Sequence, residues 1–519
     1  MYRKFTALAG LAMALSTAYP ALAQKSADTI RLAINDMFPL VDPYNYPQDE
    51  QTSFNVGVYQ GLLNYDEHNG KYVNTLAKSW KRIDDKTLEF EIKEGVKFHN
   101  GEILTAEDFK ATYEWAADEK TRIRFKDNYN WIERVEVLGP YKMRLHSKNV
   151  SQGDLFRLAY SMRVLSKKAL ESIESGTDYG RLVPFGTGPY KVVSLDKTKG
   201  VLVERFDGYR NDPNDYYRAP VKRVRGIPIP DRQSQQAQLL TGGLDVIRNV
   251  PSDSANELAK IPNLAVTATS SAFMLYAQLD AAGRSSNKLF KDERVRKAFV
   301  MSLDLDSLVK NIIPAGEKAV RPDTICFKTM LACKVDNKPY PYNPAEAKKL
   351  MAEAGYADGV DLTLYVHEPL AFIGTAIAGE IRKVGFRANV EPMPLGLYVK
   401  RRGDGDLTSF VGAYPTGVGP DAANMLSLFF GQDRDYWKDQ TINDIWSKGE
   451  TELDPAKRTT LYTPALNRIN EKAYILPISE MPMVWAHGKD VKIMPNPLST
   501  SDPKLGDYAW TDYQPKIHQ

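Results

Sequence analysis

An α/β fold in more than one layer, divided into two or three domains, is what this chain of 519 residues predicts. Strand-like and helix-like stretches alternate along the whole length, without a repeat period or a low-complexity linker. The long, strict βα alternation of a barrel is missing. Pro and Gly gather in short clusters at Pro184 to Pro189, Pro228 to Pro230 and Met481-Pro482. A chain this long exceeds what one core holds, and short ordered crossings of that kind are what hinges are made of.

The first element is a leader, residues 1–23. Arg3 and Lys4 give a basic start, Phe5 to Leu15 an apolar run, Tyr19-Pro20 a helix break, and Ala21-Leu22-Ala23 the small residues a signal peptidase needs. The run is too short to span a bilayer. Gln24 follows the expected cut and offers no cysteine for a lipid anchor, so the mature chain is expected to be free in an extracytoplasmic compartment.

Thr29 to Ile34 reads as a buried strand followed by the loop Asn35-Asp36-Met37-Phe38-Pro39, and Leu88 to Lys93 alternates as a half-buried strand does. Thr105-Ala-Glu-Asp108 is a capping box that opens a helix running to about Ala117. Asn343-Pro344 is an N-cap with proline at the first helical position, and Gly355 ends that helix. Phe372 to Val384 is a further helix, leading through Gly385 into the strand Ala388 to Glu391.

Lys and Arg number 68 against 65 Asp and Glu; without Arg3 and Lys4 the balance is 66 to 65, a net charge of +1. That leaves no global attraction to nucleic acid or an anionic membrane. Beyond the leader no apolar run approaches the roughly 20 residues of a membrane-spanning helix. The 28 tyrosines supply amphipathic rings for surfaces and clefts. The two cysteines, Cys326 and Cys333, lie in one short run. In an oxidising compartment they are expected to pair as a local staple worth about 2.5 kcal/mol; their spacing does not suit a CxxC redox or metal pair.

Catalytic signals are sparse. There is no GxSxG elbow, HExxH helix or calcium-loop pattern. His68, His99, His146, His367, His487 and His518 are never at helical ligand spacing, so each reads as a surface or hydrogen-bonded structural residue and no metal site is expected. Gly417-Val-Gly419 is half a dinucleotide fingerprint, and the acidic clusters Asp207 to Asp215 and Asp404 to Asp406 read as solvated turns. Nothing selects a nucleophile, a base or a cofactor. Binding without catalysis is the expectation, and an extracytoplasmic hydrolase or chaperone-like binder the distant alternative.

Several stretches in order then carry a resemblance. They are Leu76-Ala-Lys-Ser-Trp80, Leu88-Glu-Phe-Glu-Ile92, Gly95-Val-Lys-Phe-His-Asn-Gly101 with Leu104-Thr-Ala-Glu-Asp108, Gly186-Thr-Gly-Pro-Tyr190, Thr241-Gly-Gly-Leu-Asp245, Asp292-Glu-Arg-Val-Arg-Lys-Ala298, and Tyr342-Asn-Pro-Ala-Glu-Ala-Lys348 through Gly355-Tyr356. Together they resemble the periplasmic solute-binding proteins of the dipeptide/oligopeptide/nickel class, family 5, which serve ABC importers. The motifs also have physical readings: Asn100-Gly101 suits a tight turn, and Gly186 and Gly188 around Thr187 would make a sharp bend with backbone exposed to a cleft. As landmarks they read as scaffold.

The resemblance implies a type II periplasmic-binding-protein fold: two lobes joined by a two-segment hinge, with an extra α/β domain inserted in the first lobe. The first lobe would comprise 24–68, 187–280 and 480–519, the insert 69–186 and the second lobe 281–479. It implies a periplasmic receptor, monomeric, that holds a small solute between the lobes and delivers it to a membrane-embedded permease and its ATPase subunits. In dipeptide-binding relatives an aspartate in a loop after a second-lobe strand holds the ligand's ammonium group. The corresponding loop here is Gly412-Ala-Tyr-Pro-Thr-Gly-Val-Gly-Pro-Asp421, with Tyr414 at the aromatic position, Thr416 beside it, and Val418 where the aspartate is expected. Asp421 stands slightly further on. Relatives also place an arginine for the carboxylate after the strand matching Leu362–Val366, where this chain has His367-Glu368-Pro369. An ordinary α-dipeptide is therefore disfavoured against a peptide or amino-acid conjugate; an oligosaccharide, an opine or a metal chelate remains the alternative. Phe38, Tyr44 and Tyr414 could give aromatic faces, with core packing as the competing reading. Arg163 could meet a carboxylate or phosphate, whereas Arg401-Arg402 reads as a solvated helix end.

Overall fold

The computed structural model describes residues 28–512 apart from 36–39, 45–48, 67–68, 70, 124–125, 176–177, 210–216, 314–318, 416–418, 431–434 and 495–503. The expected leader, Gln24, Phe38, His68, Thr416, Val418 and His518 lie outside the described residues. The strands of the first half are β1 (Thr29–Ile34), β2 (Leu63–Asp66), β3 (Lys71–Asn74), β4 (Ala77–Asp84), β5 (Thr87–Ile92), β6 (Ile132–Gly139), β7 (Lys142–Ser147), β8 (Tyr190–Asp196), β9 (Gly200–Arg205) and β10 (Arg223–Pro228). They continue with β11 (Val246–Arg248), β12 (Leu264–Leu279), β13 (Val360–His367), β14 (Phe386–Met393), β15 (Ser409–Pro415), β16 (Ile475–Gly488), β17 (Val491–Ile493) and β18 (Tyr508–Trp510).

Ten of them make one sheet, in the order β14-β13-β15-β12-β16-β11-β1-β10-β9-β8. Its two wings are the two lobes. Between them stand β12 and β16, antiparallel and long enough to belong to both. Leu264 to Ala268 pair with Gly488 to Val484 beside β11, whereas Phe273 to Gln278 pair with Met481 to Ile475 beside β15. In the middle the register slips twice, around Ser271, whose partner is Pro482. Proline brings no N–H to a ladder, and bulges bend and twist the strands that carry them.

The expected elements are present with near-identical bounds. The Thr105/Asp108 capping box starts the helix Ala106–Ala117, the Asp108 carboxylate accepting from the Thr105 N–H at 2.8 Å and from its hydroxyl at 3.1 Å. Asn343 caps Pro344–Glu353, after which Gly355 takes a left-handed φ of 92°. The Phe372 helix is Ala371–Arg382, and Gly385, at φ 110°, leads into β14. Gly101, at φ 91°, forms the turn after Phe98. The helix Ala106–Ala117 packs on a separate sheet, β4-β5-β7-β6. One element differs from expectation: Glu89 of β5 is buried rather than solvent-facing, because Lys81, Lys142 and Arg144 of the neighbouring strands all reach its carboxylate, at 3.3, 3.2 and 2.9 Å.

The Gly186-Thr-Gly188 segment also differs. It is buried, and neither glycine has a left-handed backbone. Glycine is required by close approach: a Cβ at 186 would stand 1.9 Å from the Val58 carbonyl oxygen, and one at 188 would stand 2.3 Å from that of Gly57. The N–H of Gly188 donates to that Val58 carbonyl at 2.9 Å. His99 locks the segment from the other side. Its Nδ1 accepts from the Gly186 N–H at 3.2 Å, so its protonated Nε2 donates to the Gly188 carbonyl at 2.9 Å. Burial pushes the ring's pKa down to about 4, so the bridge is neutral.

Cys326 and Cys333 are bonded, with their Cα atoms 6.0 Å apart. Arg402 is no solvated helix end: its guanidinium donates to the Tyr276 hydroxyl at 3.2 Å and lies over the Tyr398 ring. Arg401 pairs with Glu391 at 2.8 Å and lies over Tyr365.

Candidate functional site

In open α/β sheets the crevice beyond the carboxyl ends of parallel strands is where ligands sit. Here the register carries both sets of ends to one place. In the first lobe β1 runs parallel to β10 and β11, and the last residue of β11, Arg248, pairs with Trp485 of β16. In the second lobe β13 runs parallel to β14 and β15, and the last residue of β15, Pro415, pairs with Phe273 of β12, itself opposite Met481 of β16. The two wings therefore aim their carboxyl ends at the same irregular stretch of β12 and β16. A cleft between the lobes follows from topology alone.

On the second-lobe side β13 ends at His367 and β14 at Met393. Burial lowers the His367 pKa against the pull of Glu368, so the ring is neutral at pH 7. The helices that follow begin with exposed apolar side chains: Phe372 at 44 % of its surface, Leu395 at 55 % and Leu397 at 47 %. Apolar groups left in water at a strand-end crevice are what a bound solute would cover. The reading from sequence missed them; the only signal was an apolar residue in the first turn of a helix placed directly after a strand.

The residues singled out from sequence lie in two separate cores. Tyr44 and Arg163 come together in the first lobe. The Tyr44 hydroxyl donates to the Arg163 carbonyl, and its ring meets Trp115 edge-on at 5.3 Å. Arg163 is buried and donates to the Tyr217 hydroxyl at 3.4 Å and the Tyr160 carbonyl at 3.2 Å. Tyr414 and Asp421 belong to the second lobe. The Tyr414 hydroxyl donates to the Ile325 carbonyl, while its ring packs on Tyr276, Phe327 and Phe429. Asp421 caps the helix Ala422–Phe429 through the Ala423 N–H and accepts two bonds from Arg458, at 3.0 and 2.7 Å. Both members of that pair are buried, at 3 % and 4 % side-chain exposure. Burial raises the Asp421 pKa, and Arg458 opposes it. In this arrangement all four side chains are spent on protein partners.

Histidines and carboxylates do not assemble into a metal cluster among the described residues. His146 pairs with Glu136, and His487 with Thr267 and the Gly488 carbonyl. No helix among the described residues is long and apolar enough to cross a membrane.

A model of the bacterial extracellular solute-binding proteins, family 5, middle region, matches residues 71–437. The glutathione-binding protein GsiB of Salmonella paratyphi A is 28% identical over 517 residues, 95% of this chain and 96% of that protein. The GsiB of Escherichia coli is 26% identical over 509 residues, 94% of this chain and 96% of that protein. Among solved structures, NikA from Brucella suis in complex with Fe(III)-EDTA superposes with a TM-score of 0.82 at 20% identity, covering 93% of this chain and all of that one. CtaP, an ABC transporter substrate-binding protein from Listeria monocytogenes, gives 0.81 at 19% identity, covering 93% of this chain and 99% of that one.

Proposed function

Because the chain belongs to the bacterial extracellular solute-binding proteins of family 5, we propose that it is a periplasmic receptor for glutathione or a closely related peptide conjugate, passed unchanged to the permease and ATPase subunits of an ABC importer. The observation that carries the solute class is the similarity, over nearly the full length of both chains, to glutathione-binding proteins. The site is the cleft at the middle of β12 and β16, and the hinge is the bulged stretch of those strands around Ser271 and Pro482. Of the expected division into 24–68, 187–280 and 480–519, 69–186, and 281–479, it moves the boundary at 280/281 back to about Ser271, since Leu275, Ala277 and Leu279 pack in the second-lobe core. Phe372, Leu395 and Leu397 form an apolar wall for the solute. Tyr414 and Asp421 act at one remove, by fixing the two ends of the loop between β15 and the helix Ala422–Phe429.

A neutral His367 followed by Glu368 supplies no cation at the end of β13 for an α-carboxylate, which argues against simple α-dipeptides. A γ-linked conjugate carries an ammonium and a carboxylate together at one end and a second carboxylate at the other, a charge spacing no α-dipeptide has. Calorimetry with reduced and oxidised glutathione, a dipeptide panel, an opine and a nickel–histidine chelate tests this. Binding of a glutathione form at micromolar or tighter Kd, with dipeptides at least about tenfold weaker, a difference of 1.4 kcal/mol, is the expected result. Dipeptides binding as tightly as glutathione would overturn it.

The receptor acts as a monomer released by cleavage before Gln24, without a lipid. Intact mass of the exported protein should correspond to a Gln24 start; a mass including residues 1–23 would refute the processing.

A further inference from the structure

The lobes also meet away from β12 and β16. The Gln152 N–H donates to the Glu450 carbonyl at 3.0 Å. Gln152 precedes the first-lobe helix Asp154–Tyr160, and Glu450 ends the second-lobe helix Gln440–Gly449. Arg157 and Glu450 lie within electrostatic reach of each other across this bond. Tyr72 of β3 packs on Tyr65 with ring centroids 5.1 Å apart. It feels Asp154 on its own side and the Asp421–Arg458 pair on the other. Leu331 completes the contact. It lies inside the loop closed by Cys326–Cys333 and packs against the first-lobe core. Its backbone, however, is held by the second lobe: its N–H donates to the Pro420 carbonyl at 2.6 Å, and its carbonyl accepts from the Ala422 N–H at 2.9 Å.

We propose that Tyr72, Gln152 and Leu331 are positioning residues for solute capture, a clasp that touches no ligand and biases the empty protein toward the closed arrangement. The disulfide loop is the rigid finger of that clasp. Cys326 and Cys333 hold Leu331 at the tip of a short closed loop, so seating it on the first lobe loses little chain entropy. Arg157 and Glu450 attract each other across the seam without closing to a salt bridge among the described residues, so the apolar Leu331 and the Tyr72 ring, both packed on the first-lobe core, carry most of the bias. Apparent affinity scales with the fraction of molecules already competent to bind. The clasp therefore sets affinity from outside the cleft.

The clasp gains its purpose from the receptor reading, but its test needs no solute, so the two fail separately. X-ray scattering and amide hydrogen exchange are measured on ligand-free full-length protein, wild type and Tyr72→Ala/Leu331→Ser. The wild type should scatter as the closed shape and protect the Gln152 amide. The double variant should have a larger radius of gyration and exchange Gln152 roughly tenfold faster, as expected when the closed fraction falls from dominant to minor. A cooperative melt establishes that the variant is folded. If it is not, Arg157→Glu, which sets a second carboxylate against Glu450 across the seam, should shift both readouts the same way by a smaller amount. An unprotected Gln152 amide in the wild type, or folded variants with unchanged scattering and protection, would overturn the clasp.

Discussion

Arg458→Met is expected to cost about 3–5 kcal/mol of folding stability, the range for removing one partner of a buried ion pair. Asp421 and Arg458 are both almost fully buried and joined by two hydrogen bonds. Without the guanidinium, the carboxylate keeps the Ala423 N–H in the helix cap and must stay charged in a dry site or take up a proton. The pH dependence has a definite sign. Burial already raises the Asp421 pKa, and loss of Arg458 raises it further. A carboxyl that titrates above its unfolded value loses stability as pH rises, so the variant's deficit should be largest near pH 7 and narrow toward pH 5. Adding Asp421→Asn, which can keep the cap without the charge, should recover much of the loss. Urea midpoints at pH 5 and pH 7 measure both effects. A deficit below about 1 kcal/mol at pH 7, within the range of exposed pairs, would contradict a dry site.

Gly186→Ala is expected to be comparably severe, roughly 3 kcal/mol or more, at the upper end of what overpacking costs. The new Cβ would lie 1.9 Å from the Val58 carbonyl oxygen and 2.7 Å from its carbon, backbone atoms that no rotamer change can move. Relief requires displacing the segment, and with it the Gly188-to-Val58 hydrogen bond and both bonds of His99. Thr187→Val between them is the control. The Thr187 hydroxyl is buried with no hydrogen-bond partner among the described residues, so exchanging it for a methyl should be near neutral. Thermal and urea unfolding of the two variants side by side decides the matter; equal stability would refute the close-approach account.

Local structure was legible where a short stretch carries its own physics. The Thr105/Asp108 box, the Asn343-Pro344 cap and the glycines at 355 and 385 state the ends of their elements within a few residues of chain, and the elements end there. The cysteine pair is equally local. The site was less legible because its parts are distant in sequence. Asp421 meets an arginine 37 residues on, and nothing near Asp421 announces that partner. Tyr414, Tyr44 and Arg163 have the chemistry of ligand contacts, but their burial depends on packing from elsewhere. The length of β12 and β16 was hidden too, because bulges and Pro482 break the alternation by which a 16-residue strand would be recognised.

Those two strands have a mechanical consequence. A ribbon two strands wide, laced by backbone hydrogen bonds, resists stretching and shear in its own plane yet flexes readily across it. At its middle the lacing is irregular, and Pro482 leaves one rung without a donor. Relative movement of the lobes thereby reduces to a single soft angle, with the strands themselves as the leaf spring. Within the ribbon nothing has to unfold or re-pair for the angle to change, so the strands add little barrier of their own and the contacts between the lobes set the pace of switching.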